Sequence, residues 1–379
     1  MTVIGFFSRY DEHGFPGGDT VQATAIASFL SQQGYTIHRI NFPWSEVGSV
    51  DLAVVFNLTR PFEAYLQAQA AVSVGVPYIV FSVYWDLDSL PVRGTFIDAI
   101  KSLLPRRVKD FVRLQRLRAR YPLSFAVLPE TIVGAVKKSQ WGHWDAMVQH
   151  VLDHALLVIP NSTAELAHLK ERFSLTKTSS SVIYNGLNIA HIQHATLPDH
   201  VRAQLPERYL CCVGAVGPRK NQLTLVKAAR EIGVHLVIVG GAAPGAERYE
   251  RAVRKAAGPT VHFLGRQSRD VALGVMAEST GHIQPSYIET PGLASLEAAA
   301  LGRPVGVSNV APVREYFGDY ALYCEPTSQT SVAETLLHLS QSQPQQQLAA
   351  YVHEKFSWEH VLLPMTQILA DMEFRICRQ

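Results

Sequence analysis

The sequence predicts an α/β protein built as two doubly wound, parallel-sheet domains. Three observations predict it. Short β-branched or aromatic runs alternate with stretches of helical spacing along most of the chain. The strand runs are apolar on both faces, as strands covered by helices on both sides must be. The alternation lapses once, near residues 189–206, and then restarts. A length of 379 residues suits two or three domains.

The first half supplies strands at Val3–Ser8, Thr36–Phe42, Asp51–Asn57, Pro77–Val83 and Ala155–Asn161. Helical spacing follows at Val21–Gln33, Pro61–Val74 and Asn161–Phe173. The second half supplies strands at Tyr209–Ala215, His235–Gly241, Thr260–Gly265, Gly281–Ser286, Pro304–Asn309 and Ala321–Glu325. The expected domains are 1–190 and 205–357, with a last helix over 358–379. Ligands of doubly wound sheets bind at the carboxyl ends of strands. Two such sheets place the expected site in a cleft between them.

Composition narrows the class. The chain is 47% hydrophobic and 17% charged, which excludes bulk disorder. Lys+Arg 34 against Asp+Glu 32 gives a formal net charge of +2, so no global basic field marks a nucleic-acid binder. Four cysteines, Cys211, Cys212, Cys324 and Cys377, form no Cys-x-x-Cys pair and read as thiols in a reducing compartment. The N-terminus lacks a basic region before an apolar core, and no run of 18 apolar residues occurs, so the expected location is cytoplasmic.

Segment 101–121 departs from the near-neutral average. It carries eight basic side chains against the single acid Asp110, a local charge of +7. Val108, Phe111, Leu114, Leu117 and Tyr121 recur at three to four residues, which makes one helical face apolar. A solvated helix packed on its own domain accounts for this pattern. So does peripheral contact with an anionic membrane at its inner face. No interleaved aromatic platform suits a nucleic-acid strand.

The stretch Gln284-Pro-Ser-Tyr-Ile-Glu289-Thr-Pro-Gly292-Leu-Ala-Ser-Leu-Glu297 is the most informative. A strand ends at Ser286, and Thr290 with Pro291 reads as the cap and first turn of a helix. Backbone N–H groups of Gly292 and Leu293 then face outward at a helix N-terminus, which favours phosphate. Glu289 stands before the helix and Glu297 about two turns inside it. Carboxylates beside a phosphate are costly unless they accept bonds from hydroxyls, so the pair suits a ribose or hexose. Two surface acids on a structural helix remain the plain alternative.

Glu289 and Glu297, with seven residues between them and followed by Ala298-Ala299-Ala300-Leu301-Gly302-Arg303-Pro304-Val305, resemble the signature of retaining GT-B glycosyltransferases of family 4, the glycosyl transferases group 1. Ser308-Asn309 with Pro312 and Glu315, Gly318-Asp319, Phe356-Ser357-Trp358-Glu359 and Val213–Asn221 extend the resemblance. It is strong over about 205–375 and weaker before. It implies a GT-B fold whose C-terminal helix crosses back to the first domain. It implies a nucleotide-diphosphate sugar as donor, no metal and no other cofactor. Lys220 and Arg219 would neutralise the diphosphate. Gly214 would lie in the phosphate loop, and Gly17 and Gly18 would bring backbone amides to the phosphate from the opposite domain. Glu289 would hold the transferred sugar, Glu297 the ribose, and Gly292 with Leu293 the phosphate.

Three positions depart from that pattern. Ala215 stands where many relatives carry Arg. Thr290-Pro291-Gly292 replaces Gly-Phe-Gly. Tyr84-Trp85-Asp86 replaces the usual His-Asp, so Trp85 takes the histidine's place and Asp86 becomes the candidate for acceptor contact or proton removal. The alternative for Asp86 is a turn cap. Asp86-Leu87-Asp88 also matches a metal motif of another glycosyltransferase fold, but basic residues and a helix terminus make a metal unnecessary. His143 and His150 share helical spacing without a third ligand. The expected reaction is transfer of a hexose or deoxyhexose to a hydroxyl of a glycan or lipid-linked acceptor in polysaccharide or glycoconjugate synthesis. A nucleotide-sugar epimerase and a non-catalytic sugar-nucleotide or glycan-binding relative are the alternatives.

Overall fold

The computed structural model describes residues 2–9, 12, 17–42, 44–86, 144–176, 178–290 and 292–376. The basic segment 101–121, Asp88, His143, Pro291 and Cys377 lie outside the described residues.

The chain forms two units. One runs to Tyr184 and takes in the C-terminal stretch from Leu362; the other runs from Asn185 to Val361. The first contains β1 (Val3–Phe7), α1 (Gly18–Gln32), β2 (Thr36–Ile40), β3 (Leu52–Phe56), α2 (Pro61–Ser73) and β4 (Tyr78–Phe81). Then follow α3 (Trp144–His154), β5 (Leu157–Ile159), α4 (Thr163–Arg172) and β6 (Ser179–Ser180). The sheet order is β2-β1-β3-β4-β5-β6, and each neighbouring pair is parallel.

The sequence explains these elements directly. All five residues of β3 are apolar and buried, so it lies mid-sheet. Its Phe56 ring stacks on Phe81 of β4, centroids 4.9 Å apart, in the register that aligns the two residues. Pro61 opens α2, where its missing N–H costs nothing. Ser162 caps α4, its side chain accepting from the Glu165 N–H at 3.0 Å. Each fully buried Leu, Ile, Val or Phe in this core contributes about 1.5–3 kcal/mol.

The second unit opens with α5 (Ile189–Gln193) and α6 (Asp199–Arg202). These helices of five and four residues are too short to show a hydrophobic period, which is why the alternation lapses there. The unit continues through β7 (Leu210–Val213), α7 (Gln222–Ile232), β8 (Leu236–Val239), α8 (Glu247–Ala256), β9 (Val261–Gly265), α9 (Arg269–Glu278) and β10 (Gly281–Gln284). It closes with α10 (Leu293–Ala300), β11 (Val305–Ser308), α11 (Ala311–Phe317), β12 (Leu322–Cys324), α12 (Gln329–Gln341), α13 (Gln346–Phe356) and α14 (Trp358–Val361). The final helix, α15 (Leu363–Ile376), belongs to the first unit.

The second sheet has the order β12-β11-β10-β7-β8-β9, again parallel between neighbours. From β7 the chain winds outward through β8 and β9, then returns to β10 on β7's other side. The winding direction therefore reverses between β7 and β10. At such a switch point the two following loops diverge and leave a crevice at the carboxyl ends of the strands.

The expected start of α10 is corrected. Thr290 does not cap the helix; Gly292 does, at φ +92, and the helix begins at Leu293. Gly292 folds the chain back over Glu289: a Cβ there would lie 2.9 Å from the Glu289 Cγ. That left-handed turn needs glycine and delays the helix.

Among the described residues no helix is long and apolar enough to cross a membrane.

Candidate functional site

The loop after β7 carries Gly214 to Asn221. Two of its amides pair with the neighbouring β8 stretch: Gly214 donates to the Val239 carbonyl and Val216 to the Gly241 carbonyl. Gly214 sits at φ +145, which only glycine adopts cheaply. A one-turn helix, Pro218–Lys220, then reverses the chain, with Asn221 left-handed at φ +58. The Asn221 amide group donates to the Pro326 carbonyl at 2.7 Å, which holds that turn against another loop. Lys220 is thereby aimed at the loop that follows β10.

The two loops are joined by backbone and side chain. The Tyr287 N–H donates to the Arg219 carbonyl at 2.9 Å. The Arg219 guanidinium donates to the Ile288 carbonyl at 3.0 Å and to Glu289 Oε1 at 3.3 Å. Lys220 Nζ lies 2.5 Å from Glu289 Oε2, and the Ser286 hydroxyl donates to the same oxygen at 2.8 Å. The Gln284 amide group donates to the Lys220 carbonyl at 3.1 Å. Lys220, Arg219 and Glu289 thus meet at the switch point, with Gly214 and Gly292 beside them.

The electrostatics follow from burial and pairing. Burial alone would raise the Glu289 carboxyl, but Lys220 and Arg219, with hydrogen bonds from Lys220 and Ser286, pull it down to about 2. Burial lowers Lys220, opposed by Glu289. His282 lies behind them, fully buried, and burial with the nearby Lys220 charge holds it neutral, down to about 3. Two cations facing one carboxylate leave the cluster with an excess positive charge. A diphosphate would complement that excess, and Glu289 would be released toward hydroxyls.

Glu297 lies farther along α10. Arg269, at the start of α9, holds its Oε1 at 2.7 Å. Burial raises the Glu297 carboxyl, opposed by Arg269. Leu293 and Ala294 occupy the first turn of α10, where no intrahelical carbonyl can accept their N–H groups.

The remaining candidates belong to the first unit. Gly17 caps α1 and Gly18 is its first residue. The adjoining Asp19 is bound by Arg9 at 3.1 Å and by the Asn57 amide group at 2.8 Å. Asp86 forms an ion pair with Arg172, whose other nitrogen reaches Asp145 at 2.9 Å. Trp85 stacks on His168 with centroids 5.1 Å apart and planes 8° from parallel. Just beneath, Glu165 is fully buried and accepts from the Ser82 hydroxyl, the Tyr84 N–H at 2.7 Å and the Asn161 N–H at 2.8 Å. Burial pushes its carboxyl up to about 7 against those bonds.

Sequence reasoning missed Ser286, Gln284, Arg269 and Arg172 as partners. One signal for the first two is present: His282, Gln284 and Ser286 recur at every second residue of a strand region that is otherwise core. Arg269 and Arg172 left none, since each meets its acid through tertiary folding. Cys211, Cys212 and Cys324 are buried thiols, and burial pushes each up to about 12. Among the described residues no group of three or more His, Cys, Asp or Glu side chains is arranged to hold a metal ion.

Comparison with known proteins places this geometry. The family model described as "Glycosyl transferases group 1" matches residues 196–355. The D-inositol 3-phosphate glycosyltransferase of Mycolicibacterium smegmatis is 27% identical over 228 residues, 56% of this chain and 52% of that protein. The chain spans about half or less of the length of the curated relatives it matches. Sucrose-phosphate synthase from Thermosynechococcus elongatus superposes with a TM-score of 0.72 at 16% identity, covering 99% of this chain and all of that one. HepE of Anabaena, solved in complex with UDP and glucose, gives 0.67 at 16% identity over 98% of this chain and 100% of its own. At such identities the likeness is one of fold, and that fold is GT-B. The family match falls on the unit that carries Lys220, Glu289 and Glu297, and over that stretch the chain is similar to the glycosyl transferases group 1.

Proposed function

We propose that the chain is a retaining glycosyltransferase that moves a hexose or deoxyhexose from a nucleotide-diphosphate sugar to a hydroxyl of a glycan or lipid-linked acceptor. The observation that carries this reading is the Lys220–Glu289–Arg219 cluster at the switch point of the second sheet. Its two cations match a diphosphate, and its carboxylate matches sugar hydroxyls. HepE, a neighbour in fold, has been solved with UDP-glucose. The curated relatives' name pairs glycosyl transfer with D-inositol 3-phosphate, a hydroxylated acceptor.

In this reading Lys220 and Arg219 bind the diphosphate and stabilise the charge that grows on it as the glycosidic C–O bond breaks. Glu289 holds hydroxyls of the sugar, and Glu297 holds the ribose. Leu293 and Ala294 offer first-turn amides. The acceptor oxygen bonds to the anomeric carbon on the face the diphosphate leaves. The acceptor's proton ends on the departing phosphate oxygen, so configuration is kept. Two basic side chains supply the counter-charge, and the reading needs neither a divalent cation nor another cofactor.

Incubation with UDP-, GDP- and dTDP-sugars and an acceptor panel tests it. The expected result is release of one nucleoside diphosphate with a product of retained anomeric configuration. An inverted product removes the retaining mechanism, and binding of no donor removes the assignment. A second reading, donor binding without turnover, is favoured by one observation: the Asp86 carboxylate is engaged by Arg172. Donor that binds but is never consumed with any acceptor would support it. Donor converted to an epimer without acceptor would support epimerase activity. The basic segment 101–121 keeps its reading as a contact with anionic lipid near a lipid-linked acceptor, placing the protein at the cytoplasmic membrane face. Equal flotation on neutral and anionic vesicles would count against that contact.

A further inference from the structure

We propose that Ser286 is a positioning residue that divides the Glu289 carboxylate into one held oxygen and one offered oxygen, with Ser308 fixing Ser286 in turn. The inference rests on the reading of the Lys220–Glu289 cluster as the donor site.

The geometry is specific. Ser286 and Ser308 are buried, at 0% and 1% exposure. A buried serine has one proton to give, and Ser286 gives it to Glu289 Oε2 at 2.8 Å. Its own carbonyl accepts the Ser308 hydroxyl at 2.5 Å. Ser308 ends β11, the strand beside β10. The relay therefore runs from the regular sheet into the loop that carries Glu289. Its anchor is strand backbone, which holds position better than a loop does.

The two oxygens differ in their partners. Among the described residues, Oε2 receives both Lys220 and Ser286, whereas Oε1 receives only the longer contact from Arg219, a half-exposed side chain. When a diphosphate draws Lys220 and Arg219 away, Ser286 is the neutral partner that has no reason to leave. It keeps Oε2 bonded, holds the carboxylate in one rotamer and leaves Oε1 open to a sugar hydroxyl. It also favours the ionised carboxylate after Lys220 has turned to phosphate. Without it, Glu289 can rotate or protonate, and sugar placement suffers while nucleotide binding does not.

Ser286→Ala, Ser286→Thr and Ser308→Ala, assayed with the donor that the wild type consumes, test the idea. Removing one hydrogen bond to a charged group predicts a fall in kcat of about tenfold for Ser286→Ala. The Kd for the free nucleoside diphosphate stays within about twofold, since that ligand has no sugar for Glu289 to hold. The acid limb of the pH–rate profile moves to higher pH, because the ionised carboxylate has lost a donor. Ser286→Thr, which keeps the hydroxyl, restores both kcat and the limb. Ser308→Ala gives a smaller loss with the same split, and it carries the test where Ser286→Ala fails to fold.

Wild-type kcat in folded Ser286→Ala would overturn the inference. So would equal losses in nucleotide binding and turnover, or an unmoved acid limb. A wild-type protein that neither binds nor consumes any nucleotide sugar removes the donor-site reading and this inference with it. A working wild type matched by Ser286→Ala removes the inference alone.

Discussion

The Lys220 ammonium lies 2.5 Å from the Glu289 carboxylate, although 69 residues separate them. They come from the loops that follow β7 and β10, neighbours in the sheet at the point where the winding reverses. The pair is a consequence of topology. Strand order brings the loops together, and the Asn221 and Gly292 turns aim the two side chains.

The pair makes stability depend on acid. Glu289 titrates near 2 in the folded protein against an ordinary 4.5. A depressed carboxyl contributes stability above the unfolded value and loses it as pH falls through the folded one. Wild-type stability should therefore decline between about pH 4.5 and 2, with this group adding a slope of at most about 1.4 kcal/mol per pH unit. Chemical denaturation across that range should show Glu289→Gln with a shallower decline. Identical slopes in the two proteins would mean that the pair is broken in solution.

A second expectation concerns backbone approach. Gly240 sits at φ +141 against the loop that follows β7, and a Cβ there would lie 2.1 Å from the Gly214 carbonyl oxygen. Both the conformation and the clash oppose any side chain. Gly240→Ala should lose about 3 kcal/mol or more of stability, through strain and displacement of the loop. Thermal melting would show it, with donor binding weakened in parallel. A variant that melts with the wild type would contradict the tight packing of β7 against β8.

The ribose assignment has its own test. Glu297 is held by Arg269 at 2.7 Å and lies within α10, whereas Glu289 precedes that helix. Glu297→Ala should raise the donor KM about tenfold, a loss near 1.4 kcal/mol, and leave kcat within about twofold. Arg269→Ala should not reproduce that rise, because it frees the carboxylate rather than removing it. Steady-state kinetics on both variants decide the matter, and equal KM increases would reassign the pair to fold stability.

How far the sequence reaches can be judged from particular residues. β3 is five consecutive apolar residues and is plain to see. β6 is Ser179–Ser180, two polar residues that pair only because β5 lies beside them, and nothing local announces it. Lys220, Glu289 and Glu297 are legible because their spacing resembles a family. That Glu289 joins Lys220 while Glu297 joins Arg269 is not legible, since strand order decides which loops meet. The helix expected at Thr290 and Pro291 begins at Leu293, because Gly292 adopts a left-handed turn that spacing does not reveal. Ser286 reads as the end of a strand until Glu289 is seen to fold back over it.

The most direct test of the account is titration of UDP-, GDP- and dTDP-sugars into the wild type and into Lys220→Ala, followed by calorimetry. If Lys220 binds the diphosphate, one donor binds the wild type and its affinity falls at least tenfold in the variant, a loss of about 1.4 kcal/mol or more. Equal affinity in the two proteins would contradict the assignment of the Lys220–Glu289 cluster as the donor site.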